Sequence, residues 1–247
     1  MTYTADDKHA MLDTPVSVLM PVCNEEDIIE RVVEEWHQEV MLFLPEGSEL
    51  IFDDASDDQT TPILHSLKTR YPYIVIHHSD RDGFGAATKR LYAMAKNPLI
   101  FFTDSDGQYL ANDFWKMAEI MQNAEYDMLN GYKVGRQHPY YQMLGSVLFN
   151  ILFRFLFSSK GRDINSAFKF IKLSVIQDQL PEIKHIPEFV NSELYIRVEQ
   201  AGYCIRDIPV RHRARFFGRS KVSRPLSYMR HGIQTLHGML LLKKSLA

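Results

Sequence analysis

Asp104-Ser105-Asp106-Gly107-Gln108 places two carboxylates one residue apart, directly after the short apolar run Leu99-Ile100-Phe101-Phe102-Thr103. Asn97-Pro98 bounds that run in front, and its β-rich composition predicts a buried strand. Carboxylates at the carboxyl end of such a strand lie at the sheet's edge, where open α/β sheets bind ligands. Unpaired, they repel each other and one tends to hold a proton. A divalent cation removes the conflict. Hard oxygen ligands suit Mg²⁺ or Mn²⁺, which keep waters and take phosphate oxygens from a substrate. An acidic turn capping the next helix is the plainer account of an isolated D-x-D pair, but here other features converge on the same place.

The elements around the pair alternate. Val16 to Met20 is a continuous apolar run ended by Pro21, and Asn24 is placed to cap a helix beginning at Glu25, Glu26 and Asp27. Ile28, Ile29, Val32, Val33, Trp36 and Val40 follow the helical period. Leu50-Ile51-Phe52 predicts a strand stopped by Asp53-Asp54, followed by a helix from about 60 to 70 and a strand from Tyr73 to Ile76. Gly83-Phe84-Gly85 opens another helix before the fourth strand. This order predicts a mostly parallel α/β sheet with helices on both faces. Polar clusters at 21–25, 53–58 and 104–108 then line one crevice at the strand carboxyl ends. The G-x-G at 83–85 is not a dinucleotide fingerprint, and the chain carries no Walker loop, nucleophile elbow or H-E-x-x-H.

The second half reads differently. Leu144, Val147, Leu148, Ile151, Leu152, Phe155 and Leu156 trace a helical stripe, interrupted by Arg154 and shorter than the roughly 20 residues a membrane span needs. It predicts either a core helix or one lying in a membrane interface. Leu226 to Leu246 is amphipathic, with Met229, Ile233, Leu236, Leu240 and Leu241 set against Arg230, His231, His237, Lys243 and Lys244. Apolar plus basic is the pattern of a helix on an anionic membrane surface.

The 247 residues are 45% hydrophobic and 24% charged, enough for a sizeable core. Cys23 and Cys204 give neither a disulfide framework nor metal-ligand spacing, which suits a reducing compartment. The polar N-terminus lacks a signal core, so the expected location is cytoplasmic and peripheral to a membrane, without a transmembrane helix. The net charge of −3 conceals an asymmetry, since nine Lys and Arg and no acid follow Asp207. Such a tail points to an anionic partner: a phosphate group, an acidic membrane surface or nucleic acid.

Three stretches together resemble the family 2 glycosyltransferases of GT-A fold. They are Val16-Ser17-Val18-Leu19-Met20-Pro21-Val22-Cys23-Asn24-Glu25, then Asp53-Asp54-Ala55-Ser56-Asp57-Asp58-Gln59-Thr60, then Asp104-Ser105-Asp106-Gly107-Gln108. Gly161 to Lys169, Asn191-Ser192-Glu193-Leu194 and Arg215 to Lys221 are similar to that family's polyprenyl-phosphate branch, the dolichol-phosphate mannosyltransferase-like enzymes. The resemblance implies a metal held by Asp104, Asp106 and Gln108 that bridges the diphosphate of a nucleoside-diphosphate sugar. It implies a nucleoside pocket at Pro21, Asn24, Glu25, Asp53 and Asp54, with Asp54 accepting from the base. Lys133, Arg162 and Ser166 match positions for an acceptor phosphate, and Arg215, Ser220 and Lys221 sit on a loop that closes over the diphosphate. The chain departs from the pattern at Cys23, where Tyr is frequent, at Lys133, which gives a point charge in place of a planar Arg fork, and at Ala167, where Gly is usual.

The expected organisation is an N-terminal extension over 1–14, a transferase domain over 15–222 and a basic amphipathic helix over 223–247. The expected activity is inverting transfer of a sugar to polyprenyl phosphate at the cytoplasmic membrane face, aided there by the anionic surface or a membrane-protein partner. Asp106 and Arg215 are its expected catalytic residues. The alternative is transfer to a sugar hydroxyl in envelope polysaccharide synthesis. A hydroxyl needs a general base, and Glu193 is the candidate. A nucleotidyltransferase lacks support without a glycine-rich loop at the first strand, and a nucleic-acid-binding scaffold would have no use for the aspartate pair.

Overall fold

The structure, a computed structural model, describes residues 3–122, 125–134, 140–214 and 225–246. Among these, the strands are β1 (Val16–Val22), β2 (Glu49–Asp54), β3 (Ile74–His78), β4 (Leu99–Phe102), β5 (Met128–Val134), β6 (Lys169–Lys172) and β7 (Ile205–Arg211). The helices are α1 (Ala5–Met11), α2 (Ile29–Glu39), α3 (Thr60–Arg70), α4 (Phe84–Met94), α5 (Phe114–Gln122), α6 (Tyr140–Phe157), α7 (Leu173–Gln179), α8 (Val190–Gln200) and α9 (Pro225–Ser245). One sheet runs in the order β3-β2-β1-β4-β6-β5-β7. Its first four strands are parallel, β6 runs against both neighbours, and β5 and β7 are again parallel. All seven residues of β1 are buried, as a central strand covered on both faces requires.

Two local expectations are corrected. Asp53 and Asp54 do not stop the second strand; they are its last two residues. The helix expected at Glu25 starts at Ile29. Asn24 is not its cap: the residue sits in the left-handed region at φ 53°, and its amide pairs with Asp57. Asn tolerates that conformation better than most residues because its short side chain bonds locally.

The carboxyl end of β4 rests on aromatic rings. Phe101 lies 4.7 Å from Phe168, 4.9 Å from Phe114 and 5.4 Å from Phe170, with Trp36 at 5.5 Å on α2. Offset aromatic pairs add about 0.5–1.5 kcal/mol each beyond area burial, so the floor beneath the aspartate loop is stiff.

A second tight junction lies at 183–188. A methyl group on Gly85 would sit 1.7 Å from the Pro187 carbonyl oxygen, and one on Gly238 would sit 2.3 Å from that of His185. Lys89 Nζ donates to the Ile183 carbonyl at 2.7 Å. The segment is thereby held between α4 and α9.

The apolar helix is neither wholly core nor wholly surface. On α6, Asn150, Phe153 and Phe157 are buried, whereas Ile151, Arg154 and Phe155 are exposed, Phe155 by 82%. On α9 the core-facing stripe is Thr235, Gly238, Met239 and Leu242; Leu236, Leu240 and Leu241 face outward beside Lys243 and Lys244. The two helices touch. No helix among the described residues is long and apolar enough to cross a membrane.

Candidate active site

The three polar clusters meet where β1, β2 and β4 end. Ala55 N–H donates to the Val22 carbonyl at 3.1 Å and Asn24 N–H to Ser56 Oγ at 2.9 Å. Ser105 Oγ, buried, donates to the Pro21 carbonyl at 2.8 Å. Burial alternates through the aspartate loop: Ser105, Gly107 and Tyr109 are buried, while Asp104, Asp106 and Gln108 are half-exposed. Gly107 takes φ 69°, which a residue without a β-carbon adopts at no steric penalty. Asp106 Oδ1 accepts the Gln108 N–H at 3.0 Å. Gln108 turns its amide toward the Arg213 carbonyl, 3.2 Å away.

The second aspartate pair is already engaged. Asp53 is fully buried and takes Arg90 Nη2 at 2.9 Å and the Ser79 hydroxyl at 3.1 Å. Asp54, also buried, accepts Ser56 N–H at 3.1 Å and the Thr61 hydroxyl. Glu25 N–H donates to Thr60 Oγ1 at 2.9 Å, fixing the turn that carries its side chain.

Tyr109 joins the acidic loop to the second half of the sheet. Its hydroxyl is 3.2 Å from Ser166 Oγ, and Lys133 Nζ stands 5.4 Å from its ring centroid. Burial pushes the phenol up to about 12, with the charges of Asp104 and Asp163 adding to the rise and Lys133 and Ser166 opposing it. Lys133 and Ser166 therefore share one aromatic wall, which begins one residue after the acidic loop. Arg162 is exposed and lies across Tyr132, with Nη1 3.0 Å from the hydroxyl and its guanidinium 4.9 Å from the ring centroid. Its own N–H is held by Asp207 at 2.8 Å.

Beneath this shelf lies a buried polar knot. Asn130 Nδ2 donates to Asp207 at 2.7 Å, and the fully buried Lys169 donates to Asn130 Oδ1 and to the Ile164 carbonyl. Burial pushes the Lys169 ammonium down to about 7, against the pull of Asp163 and Asp207.

Glu193, the base candidate, is fully buried on α8. Its carboxylate accepts N–H groups from Lys184 (3.1 Å), His185 (2.9 Å) and Ile186 (2.7 Å), and Arg197 Nε at 3.1 Å. Those are the bonds of a structural anchor. Arg215, Ser220 and Lys221 lie outside the described residues.

Several residues that the motifs do not single out complete the site. Arg213 reaches the Gly107 carbonyl through Nε and pairs with Glu35 of α2, which also accepts the Ala111 N–H at 3.1 Å. Arg213 N–H donates to the Gln108 carbonyl at 2.9 Å, and His212 is buried edge-on against Tyr109, centroids 5.0 Å apart. In the sequence these are only members of a basic tail. Nothing local to them reveals the partners.

Among the described residues, no three His, Cys, Asp or Glu side chains gather into a closed metal cage. The donor set at 104–108 is instead two half-exposed carboxylates on an open edge. It fits a hard cation that keeps waters and draws its remaining ligands from substrate.

The family model for glycosyl transferase family 2 matches residues 17–176. The chain belongs to that family. This glycosyltransferase is 24% identical over 218 residues to a protein of Haloferax volcanii named dolichyl-phosphate hexose transferase, covering 86% of each chain. It is 27% identical over 205 residues to glycosyltransferase AglD of the same organism, covering 79% of this chain and 32% of that one; it thus spans about a third of that relative's length. Among solved structures, glucosyl-3-phosphoglycerate synthase from Mycobacterium tuberculosis with phosphoglyceric acid superposes with a TM-score of 0.73 at 19% identity, over 99% of this chain and 85% of that one. The same enzyme with Mn²⁺, uridine diphosphate and glucosyl-3-phosphoglycerate gives 0.72 at 19%, over the same shares. The glycosyltransferase therefore has the GT-A architecture of those neighbours.

Proposed function

We propose that this glycosyltransferase moves a hexose from a UDP-sugar to the phosphate of a polyprenyl phosphate, with inversion at the anomeric carbon and with a divalent cation, Mg²⁺ or Mn²⁺. The observation that carries the reading is the wall at Tyr109, which sets the acidic loop against Lys133 and Ser166. A donor diphosphate needs the first group and an acceptor phosphate needs the second. The names of the Haloferax and mycobacterial proteins support both halves.

In this reading an acceptor phosphate oxygen forms a bond to the anomeric carbon as the bond to the donor diphosphate breaks, and the nucleoside diphosphate leaves with the electron pair. The acceptor is an anion at neutral pH and needs no strong base, which agrees with a Glu193 carboxylate occupied by four N–H donors. Asp104 and Asp106 would hold the cation, with Gln108 beside them, and a bound cation supplies Lewis-acid dispersal of the charge on the diphosphate. Pro21, Asn24, Glu25 and Asp54 line the nucleoside side. Asp53, tied to Arg90, sets the shape of the strand end. Arg215, Ser220 and Lys221 supply cationic and hydroxyl contacts from the segment that follows Ala214.

Arg162 tests the acceptor side. Arg162→Ala is expected to raise the polyprenyl-phosphate KM about tenfold or more, the loss of a charge-assisted contact, while donor affinity stays near wild type. Incubation with Mn²⁺, a panel of nucleotide sugars and polyprenyl phosphate, followed by extraction of lipid-linked sugar, tests the activity itself. Product on a sugar hydroxyl and none on lipid would overturn the reading.

The outward faces of α6 and α9 supply a peripheral membrane contact in the same reading. Phe155, Ile151, Leu236, Leu240 and Leu241 are exposed beside Arg154, Lys243 and Lys244, an apolar face with basic neighbours. Each Lys near an anionic surface contributes about 1 kcal/mol, so losing Lys243 and Lys244 weakens binding roughly 30-fold. Replacing both with Glu should move the protein out of the floating fraction with phosphatidylserine vesicles at low salt. Wild-type protein that never floats would remove the membrane contact.

A further inference from the structure

His65 on α3 and His78 at the end of β3 have no role in the transfer reaction, although they adjoin Asp54 of the nucleoside side. Their Nε2 atoms are 3.2 Å apart, with ring planes inclined by 36°. Both are exposed, and His78 borders an open hollow with His77, Ser79, Asp80, Asp82 and Arg90. The strand register explains their placement. Asp53 pairs with His77 and Asp54 with His78, so alternate pleats send the two pairs to opposite faces. On the α3 face, His78 Nδ1 lies 3.5 Å from Asp54 Oδ2.

With its proton on Nδ1, the ring nitrogen nearer Asp54, His78 presents a lone pair at Nε2, and His65 can meet it by donating Nε2–H. One proton then holds the two rings together. A cation can take that proton's place. Two imidazole nitrogens at roughly 2.0–2.1 Å from a tetrahedral ion lie about 3.3 Å apart, close to the spacing already present. A carboxylate behind the other ring nitrogen is what fixes tautomer and orientation in histidine metal sites. Both rings also stand on regular elements.

We propose that His65 and His78 are a two-histidine site for a borderline-soft divalent cation of the zinc, nickel or copper class. Asp54 places a negative charge behind His78, and water completes the coordination. Imidazole selects these metals, whereas the carboxylates at 104 and 106 suit hard ones, so the chain offers two cation sites of different chemistry.

The test uses the full chain without a polyhistidine tag. Zn²⁺ affinity is read by competition with a chromophoric chelator, and Cu²⁺ coordination by electron paramagnetic resonance. The wild type should show two imidazole nitrogens on one Cu²⁺. His65→Ala and His78→Ala should each weaken Zn²⁺ binding at this site by about tenfold or more and remove one nitrogen coupling. His65→Gln, exposed on α3, should do the same with an unchanged melting temperature and unchanged Mn²⁺ binding, separating ligand loss from misfolding. Wild-type Zn²⁺ affinity in both His65 variants, or fewer than two imidazoles on copper in the unaltered protein, would overturn the proposal.

Discussion

Asp106→Asn should lower kcat/KM by at least ~10²–10³-fold while leaving the fold intact. The loss is electrostatic. One of two carboxylates that would face the donor diphosphate becomes neutral, and a cation shared by Asp104 and Asp106 loses a charged ligand. The loop's own bond survives the change: Asp106 Oδ1 accepts the Gln108 N–H, and an amide oxygen can do the same. Relief of like-charge repulsion with Asp104 even favours the metal-free variant slightly. Mn²⁺-dependent donor binding should vanish by calorimetry, with a melting temperature at or just above wild type. Wild-type turnover in this variant, or full activity of the parent in excess chelator, would refute the role given to the pair.

Glu193→Gln should act in the opposite way, on stability and not on chemistry. The carboxylate sits between three backbone N–H groups of 184–186 and the buried Arg197. Glutamine turns a donor toward those donors and leaves the guanidinium without its anion. Removing one partner of a buried pair costs about 3–5 kcal/mol. In a chain of this size that lowers the melting temperature by roughly 10 °C. Well below the transition, kcat should stay near wild type. A variant with an unchanged melting temperature and kcat reduced ~10²-fold or more would restore Glu193 as a general base and, with it, the hydroxyl-acceptor reading.

The two residues also show what a sequence can disclose. Asp106 announces itself because its neighbours in the chain are its neighbours in the site: an apolar strand, a turn glycine and a second carboxylate. The first four strands are legible for the same reason, each a short apolar run between turn signals. β5, β6 and β7 are not. They carry Asn130, Lys169 and Asp207, which bond to one another across strands, and Lys133, which stands over the Tyr109 ring, and Pro209 interrupts the last. Glu193 looks like an acid at a helix start paired with Arg197 one turn on, and its backbone partners seven to nine residues upstream give no periodic sign. Asn24 misleads in the same way, since its partner Asp57 lies 33 residues away. The tail divides likewise: its basic charge is plain, but that Arg213 bonds both the Gly107 carbonyl and Glu35 is a product of the fold.

β6 makes the molecule divisible. Its antiparallel pairing closes a parallel block that carries the acidic loops and opens a second block that carries Lys133 and Arg162. Within the sheet the seam consists of main-chain bonds from Leu99–Lys172 to Phe102–Lys169, with rings packed on Phe101; outside it, Arg213 on Gly107 and Glu35 and Lys89 on Ile183 also cross. Main-chain bonds are indifferent to side-chain identity. A lineage that keeps the rings and the Arg213 contacts can therefore vary much of what lies beyond β6 while the acidic loops stay as they are.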